Sequence, residues 1–362
     1  MGPFLKWKKG VAMFFSSKKV IGIDLGSSSI KIIELEATSG GFSLVSFGVI
    51  PTPTDAISNG QINDPSLLAN AIQGILKETK TKTKSSVTGM WGTSIIIKKI
   101  SIPRVDSKVL NDTIRFEAEQ YIPFEISSVA LTHVVLNSNN ATDNMDVLII
   151  AAKSDQLVQY VETISLCQLK CSVVDANSIA LANCFEINYG ILRGETVALM
   201  NFGAEVTNFV VLHNGELIFC RDIGVGSNNI STEISRALNI TVNEAESFKI
   251  SALVGAEVPD EVHSIISAET ERIVEEIKNS FDFFSASNLG IGISKVFFSG
   301  GGSHQSNLIQ QVAIALGITF EKMDPFKKIK VNTKKFNLNY LEKISYLAPI
   351  AVGLASREGS KS

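Results

Sequence analysis

The sequence predicts an α/β protein of two similar lobes around a cleft, with a small subdomain inserted in the first. Three observations predict it. Short β-branched apolar runs alternate with helical periodicities along the chain. A strand-turn-strand unit near residues 20–35 recurs near 197–212, each time followed by more strand and then helix. Between the two lies a β-α-β-β-α block that reads as a unit of its own.

Composition sets the outer bounds. The 362 residues are 45% hydrophobic and 19% charged, enough apolar side chain to fill more than one core. Thirty-three basic against 36 acidic residues give a net charge of −3, which makes no global case for nucleic acid. The longest apolar runs, such as Val147 to Ala152, fall far short of a membrane span. Cys167, Cys171, Cys184 and Cys220 form neither a zinc knuckle nor a disulfide framework, so the compartment reads as reducing cytoplasm. His133, His213, His263 and His304 are scattered singly, and no metal cluster is expected.

The elements follow in order. Residues 1–19 carry five lysines and no acid. They read either as a solvated leader or, with Phe4, Leu5, Trp7, Phe14 and Phe15 interspersed, as a basic anchor for anionic lipid. Val20 to Asp24, Ile30 to Leu35 and Leu44 to Val49 read as strands, and Asp64 or Ser66 starts a helix. A new unit begins near Ser85: strand at Ser94 to Ile100, a helix of about 15 residues after Asp106 that Pro123 ends, strands at Val129 to Leu136 and Val147 to Ala151, and a helix from Gln156 to Gln168. Cys171 to Val174 is strand and Ser178 to Ile187 helix. Val197 to Met200, Asn208 to Leu212 and Leu217 to Arg221 form a meander, with Asn214-Gly215 as a hairpin turn. Helices follow at Ile230 to Leu238 and Glu269 to Phe284, then a strand at Val296 to Ser299, the glycine turn 300–302, and a helix that Gly317 stops.

Three of these turns have phosphate or nucleoside chemistry. In the first, Asp24 ends a strand and Gly26, Ser27, Ser28 and Ser29 form a tight turn whose backbone N–H groups suit an anion. Asp24 could hold Mg²⁺ through water, and Lys31 adds positive charge. The second, Asn201 to Thr207, has the same shape, with Gly203 in its turn. The third, Gly300, Gly301, Gly302 and Ser303, lets backbone approach a flat ligand such as a purine. A plain surface hairpin is the competing reading of the first turn.

These sites in this order resemble the actin–Hsp70–FtsA ATPase superfamily. Val174 to Asn183 is similar to its first connecting helix, and Glu244 to Lys249 to its segment against the nucleoside. The segments IIIKKISIP, IRFEAEQYIPFEI, IGVGSNNISTEI, MDPFKKI and YLAPIAVGLASRE narrow the resemblance to the type IV pilus assembly family PilM, over about Ser17 to Glu358.

The resemblance implies an actin-like fold of duplicated RNase H-like domains with an FtsA-like 1C insertion. It divides the chain into a basic leader (1–19), a first lobe 1A (20–85, 172–193 and 345–358), subdomain 1C (86–171) and a second lobe 2A/2B (194–344). It implies a cytoplasmic protein that binds ATP with Mg²⁺ and docks the N-terminal cytoplasmic peptide of PilN. It would sit at the inner membrane through that and other pilus assembly proteins, with self-association left open. Gly26 to Ser29 and Lys31 would hold phosphate, Gly203, Ala204 and Thr207 would close the second side, Glu246 and Lys249 would meet the nucleoside, and Gly300 to Ser303 would wall the base. The family usually has Asp where this chain has Asn201, an uncharged head that holds hydrated Mg²⁺ weakly and accepts no proton, so hydrolysis is expected to be slow. Asp175 reads either as a helix N-cap or as the group for residual hydrolysis. Phe116, Tyr121, Ile122 and Phe124 read either as the core of 1C or as part of a partner groove between 1A and 1C. The alternative function is an FtsA-like, membrane-associated, filament-forming ATPase.

Overall fold

The computed structural model describes residues 19–106, 108–136 and 143–357. The expected leader therefore lies, up to residue 18, outside the described residues. In chain order the elements are β1 (Lys19–Leu25), β2 (Ser29–Thr38), β3 (Gly41–Pro51), β4 (Ile57–Ser58), β5 (Gln61–Ile62), α1 (Pro65–Glu78), β6 (Ser85–Met90), β7 (Ile95–Pro103), α2 (Leu110–Ala118), β8 (Val129–Val135), β9 (Asn144–Lys153), α3 (Ser154–Leu166), β10 (Lys170–Ala176) and α4 (Asn177–Tyr189). Then come β11 (Thr196–Phe202), β12 (Thr207–His213), β13 (Glu216–Ile223), α5 (Ser227–Leu238), α6 (Val242–Leu253), α7 (Asp260–Ser287), β14 (Lys295–Ser299), α8 (Ser306–Leu316), β15 (Thr319–Lys322), α9 (Leu338–Ile344) and α10 (Pro349–Ala355).

Two five-stranded sheets repeat one another. The first runs β10-β6-β1-β2-β3 and the second β13-β12-β11-β14-β15. In each, an antiparallel hairpin carries the glycine turn and parallel partners follow: β1 pairs β2 antiparallel and β6 parallel, as β11 pairs β12 and β14. The repeat is therefore real at the level of strand order. Asn214 and Gly215 close the β12–β13 turn with φ of 54° and 81°, the paired left-handed geometry that Asn-Gly accommodates.

The third sheet, β7-β9-β8, covers Ile95 to Lys153. This is narrower than the expected 86–171. Residues 86–90 fall within the expected insertion, but they belong to β6, an inner strand of the first sheet. It was illegible because its buried Ser86 and Thr88 look polar. Their hydroxyls donate to the carbonyls of Lys170 and Ile23, so the strand is satisfied without apolar side chains. α3 likewise packs against α1 and β10 rather than closing the insertion.

Helix ends follow local chemistry. Asp64 caps α1, its carboxylate accepting the N–H groups of Ser66 and Leu67 at 2.9 Å each. Thr241 and Glu244 form a reciprocal capping box on α6. Gly317 ends α8 in the left-handed conformation. α2 has nine residues rather than about 15 and stops at Ala118, five before Pro123. α10 is buried along its whole length against α4 and β1. An all-apolar helix shows no amphipathic stripe, so its sequence did not announce it. Among the described residues no helix is long and apolar enough to cross a membrane.

Candidate functional site

The two hairpin turns face each other across an open cleft. Asp24, the turn Gly26 to Ser29 and Lys31 line one side. Asn201, Gly203, Ala204 and Glu205 line the other, with Gly300 and Gly301 at one end.

Each turn is tied back by its carbonyls. Thr52 donates its hydroxyl to the Gly26 carbonyl at 2.6 Å and its N–H to Ser28 at 3.1 Å. On the opposite side, the N–H groups of Ser227 and Asn228 at the start of α5 meet the carbonyls of Gly203 (3.1 Å) and Ala204 (2.8 Å). Carbonyl oxygens, which would repel a phosphate, are thus partnered behind the turns. Lys31 lies 3.2 Å from Asp24, and both are largely buried. This pair puts one cation and one anion at the cleft floor.

The third turn approaches the second closely. Gly300 has φ of 91°, and a Cβ there would lie 2.3 Å from the Phe202 carbonyl oxygen. Its N–H donates to the Tyr346 carbonyl at 2.9 Å. Gly302 is buried against Phe202, and Ser303 donates back to the Gly300 carbonyl at 2.6 Å, so these two shape the turn instead of lining the cleft.

Four expected roles change. Thr207 is buried and donates its hydroxyl to the Val225 carbonyl at 2.9 Å, away from the cleft lining. Asp175 does not line the cleft either. Its carboxylate lies 2.8 Å from the Arg357 guanidinium and accepts the N–H of Ala176, while the cap position of α4 belongs to Ala176, so neither the hydrolytic nor the N-cap reading holds. Burial pushes Asp175 up, against the pull of Arg357. Glu246 and Lys249 pair at 2.6 Å behind Ser227, with Lys249 donating to the Ser227 carbonyl at 3.1 Å, so they brace a lining residue and are not lining residues themselves. Ile122 is buried in the core of the inserted sheet, and Phe124 packs against that core under the Lys153 ammonium. Phe116 and Tyr121 are exposed.

The sequence reading missed a polar ladder under the second turn. Asn208 donates to Asp222 at 2.7 Å, Asn201 donates to Asn208 at 3.2 Å, and Ser299 donates to Asn201 at 3.2 Å. These are register neighbours on β13, β12, β11 and β14, so the ladder crosses four strands. Asp222 also accepts the Gly92 N–H at 2.8 Å and the Ser178 hydroxyl at 3.3 Å, both from the first half of the chain. Glu205 makes a second such tie, accepting the Asn59 N–H at 2.6 Å. Burial raises both carboxylates, Asp222 despite its three donors and Glu205 despite Asn59. Asn177, the first residue of α4, also lines the cleft, and its buried Oδ1 has no partner. It fits only because residue 89 is glycine; a Cβ there would meet that oxygen at 2.1 Å. A buried acceptor without a protein partner is a place for a water donor.

A second cavity lies where edge strand β7 faces edge strand β13, lined by Ile95, Ile96, Ile97, Ser178, Arg221 and Asp222 among others. None of Phe116, Tyr121, Ile122 or Phe124 lines it. Among the described residues, no group of three or more His, Cys, Asp or Glu is placed to hold a metal ion.

The chain aligns with a solved PilM-PilN type IV pilus biogenesis complex at a TM-score of 0.84, with 23% identity, covering 94% of this chain and 99% of that one. The ethanolamine utilization protein EutJ from Carboxydothermus hydrogenoformans aligns at 0.55, with 11% identity, over 94% and 90% of the two chains. The fold is the actin-like one. The cell division protein FtsA of Staphylococcus epidermidis is 23% identical over 258 residues, 63% of this chain and 53% of that protein, so the chain spans about half the length of the curated relatives it matches. Residues 22–359 match the family model of the type IV pilus assembly protein PilM, and the chain belongs to that family.

Proposed function

We propose that the protein is an ATP-binding adaptor of type IV pilus assembly whose two sheets form the lobes of a nucleotide clamp. The observation that carries this reading is the pair of facing glycine turns with their carbonyls tied back and Lys31 between them. The residues fit the ligand. Gly300 leaves no room for any larger side chain beside Phe202, and Asn177 adds a polar side chain to the lining.

Gly26 to Ser29 with Lys31 would hold the terminal phosphates, and Gly203 and Ala204 would close the opposite side. Gly300 and Gly301 would face the nucleoside. Asp24 is the carboxylate placed to hold hydrated Mg²⁺, which when bound neutralises phosphate charge. Asn201 is engaged at both ends of its amide by Asn208 and Ser299, so it is poorly placed to add to that shell. It also takes no proton from water. The lining therefore supports binding better than turnover, and the bound nucleotide would hold the two lobes together.

The partner is the N-terminal cytoplasmic segment of PilN. Family membership and the likeness to a PilM-PilN complex support it. Phe116 and Tyr121, 67% and 40% exposed, are the aromatic side chains of this segment open to a peptide, the Lys98 ammonium lying over the Tyr121 ring. Calorimetric titration of the Mg-ATP-saturated protein with the cognate peptide tests this. Micromolar or tighter binding, weakened at least about tenfold by Tyr121→Ala, supports the reading, since one anchoring aromatic commonly carries that much. Absence of heat with folded, loaded protein contradicts it.

A further inference from the structure

The outer edge of the first sheet carries an unbalanced positive surface. After β15 the chain runs back along β3. Lys330 bridges Ser43, its N–H meets the Phe42 carbonyl at 2.9 Å, and the Lys335 ammonium reaches the Val45 carbonyl. Met323, Pro325 and Ile329 anchor this strap by burial, while Lys327, Lys328, Lys330, Lys334 and Lys335 are all exposed. Among the described residues none of the five has a carboxylate within ion-pair distance. The only acid from 322 to 335 is Asp324, which is occupied by the N–H of Phe326. The strap holds no arginine. It leads directly into α9, where Leu338 and Tyr340 are 50% and 60% exposed.

Register places one further lysine, Lys19, at the same end of the sheet, with Glu36 between it and the strap. Lys19 lies opposite Glu36, Glu36 opposite Ser43, and Ser43 opposite Lys330. Three strand spacings separate Lys19 from Lys330, about 15 Å.

We propose that this edge docks on the headgroups of an anionic phospholipid bilayer. Lysine ammonium groups are compact, mobile point charges suited to a diffuse negative layer, whereas planar bidentate recognition of a fixed phosphate favours arginine. Exposed Leu and Tyr near lysines that lack a carboxylate partner are the pattern of interfacial contact, and each lysine near such a surface adds a few-fold in affinity. The inference does not rest on nucleotide binding. It would give the protein a membrane contact of its own.

The experiment is flotation of the intact chain with phosphatidylcholine vesicles, with and without phosphatidylglycerol. Binding to the anionic vesicles alone, lost on raising salt, is expected. Joint Lys328→Gln, Lys330→Gln, Lys334→Gln and Lys335→Gln substitution should weaken it at least about tenfold without lowering the melting temperature. If that variant melts early, the pair Lys328→Gln with Lys334→Gln, which leaves the Lys335 contact with Val45 and the Lys327 contact with Tyr189 intact, should still weaken binding several-fold. Equal partition onto neutral vesicles overturns the proposal. So does unchanged binding by the lysine variants when removal of residues 1–18 abolishes it, because the leader alone would then carry the contact. Binding of polyglutamate with none to vesicles also overturns it, in favour of an acidic protein partner.

Discussion

Asn208 donates its side-chain amide to Asp222 at 2.7 Å, and that bond fixes what Asn201 can be. With its amide nitrogen committed, Asn208 presents its oxygen to Asn201, which must then donate. An Asp at 201 would point a carboxylate at that oxygen, and Asn208 could not turn without abandoning Asp222. Asn201→Asp is therefore expected to destabilise the protein by about 1–3 kcal/mol, the cost of a mismatched buried polar contact, without accelerating ATP hydrolysis. Urea unfolding together with phosphate release checks both halves. A stable variant with faster turnover would show that the ladder is incidental.

Asp222 joins the second sheet to Gly92 and Ser178. Removing it in Asp222→Ala strands three donors and should cost at least about 2 kcal/mol. The pH dependence has a definite sign. Burial raises Asp222 above its unfolded value, so the folded state holds that proton more tightly. The contribution is fully present below the ordinary Asp range and is lost as pH rises through the raised value. The stability advantage of the parent over Asp222→Asn should accordingly shrink as pH rises through that window. An advantage that grows with pH would mean the three donors outweigh burial.

Lys31 is expected to carry phosphate affinity. Because its loss would leave buried Asp24 unpaired, at a cost of about 3–5 kcal/mol, the informative variant removes both charges: Asp24→Asn with Lys31→Met. It should fold, and Mg-ATP affinity should drop at least about tenfold, as loss of a charge-assisted hydrogen bond implies. Unaltered affinity would move the phosphates elsewhere.

Thr207 separates the two readings of the second turn. Thr207→Val removes the bond to Val225 and should cost about 1 kcal/mol in unfolding while leaving nucleotide affinity unchanged. A large affinity loss with normal stability would restore its expected ligand role.

Much of this site was legible because its signals are local. Gly26 to Ser28, Gly203 and Gly300 sit in turns whose residue types report backbone shape directly, and Asp24 and Lys31 flank the first turn as register partners on β1 and β2. The misreadings involve partners distant in sequence. Nothing near Asp175 announces Arg357, 182 positions away, and nothing near Thr207 says that its hydroxyl turns to Val225. Nothing near Asp222 singles it out either, since its partners Gly92 and Ser178 lie far away in the chain. The β6 strand was hidden by buried hydroxyls, and α10 by the absence of any polar face.

The most direct test of the central claim is equilibrium titration of Mg-ATP into the intact protein, with phosphate release followed in the same sample. The account predicts saturable micromolar binding with turnover below about 1 s⁻¹, slow among enzymes. No binding by folded protein, or turnover well above that rate, would contradict it.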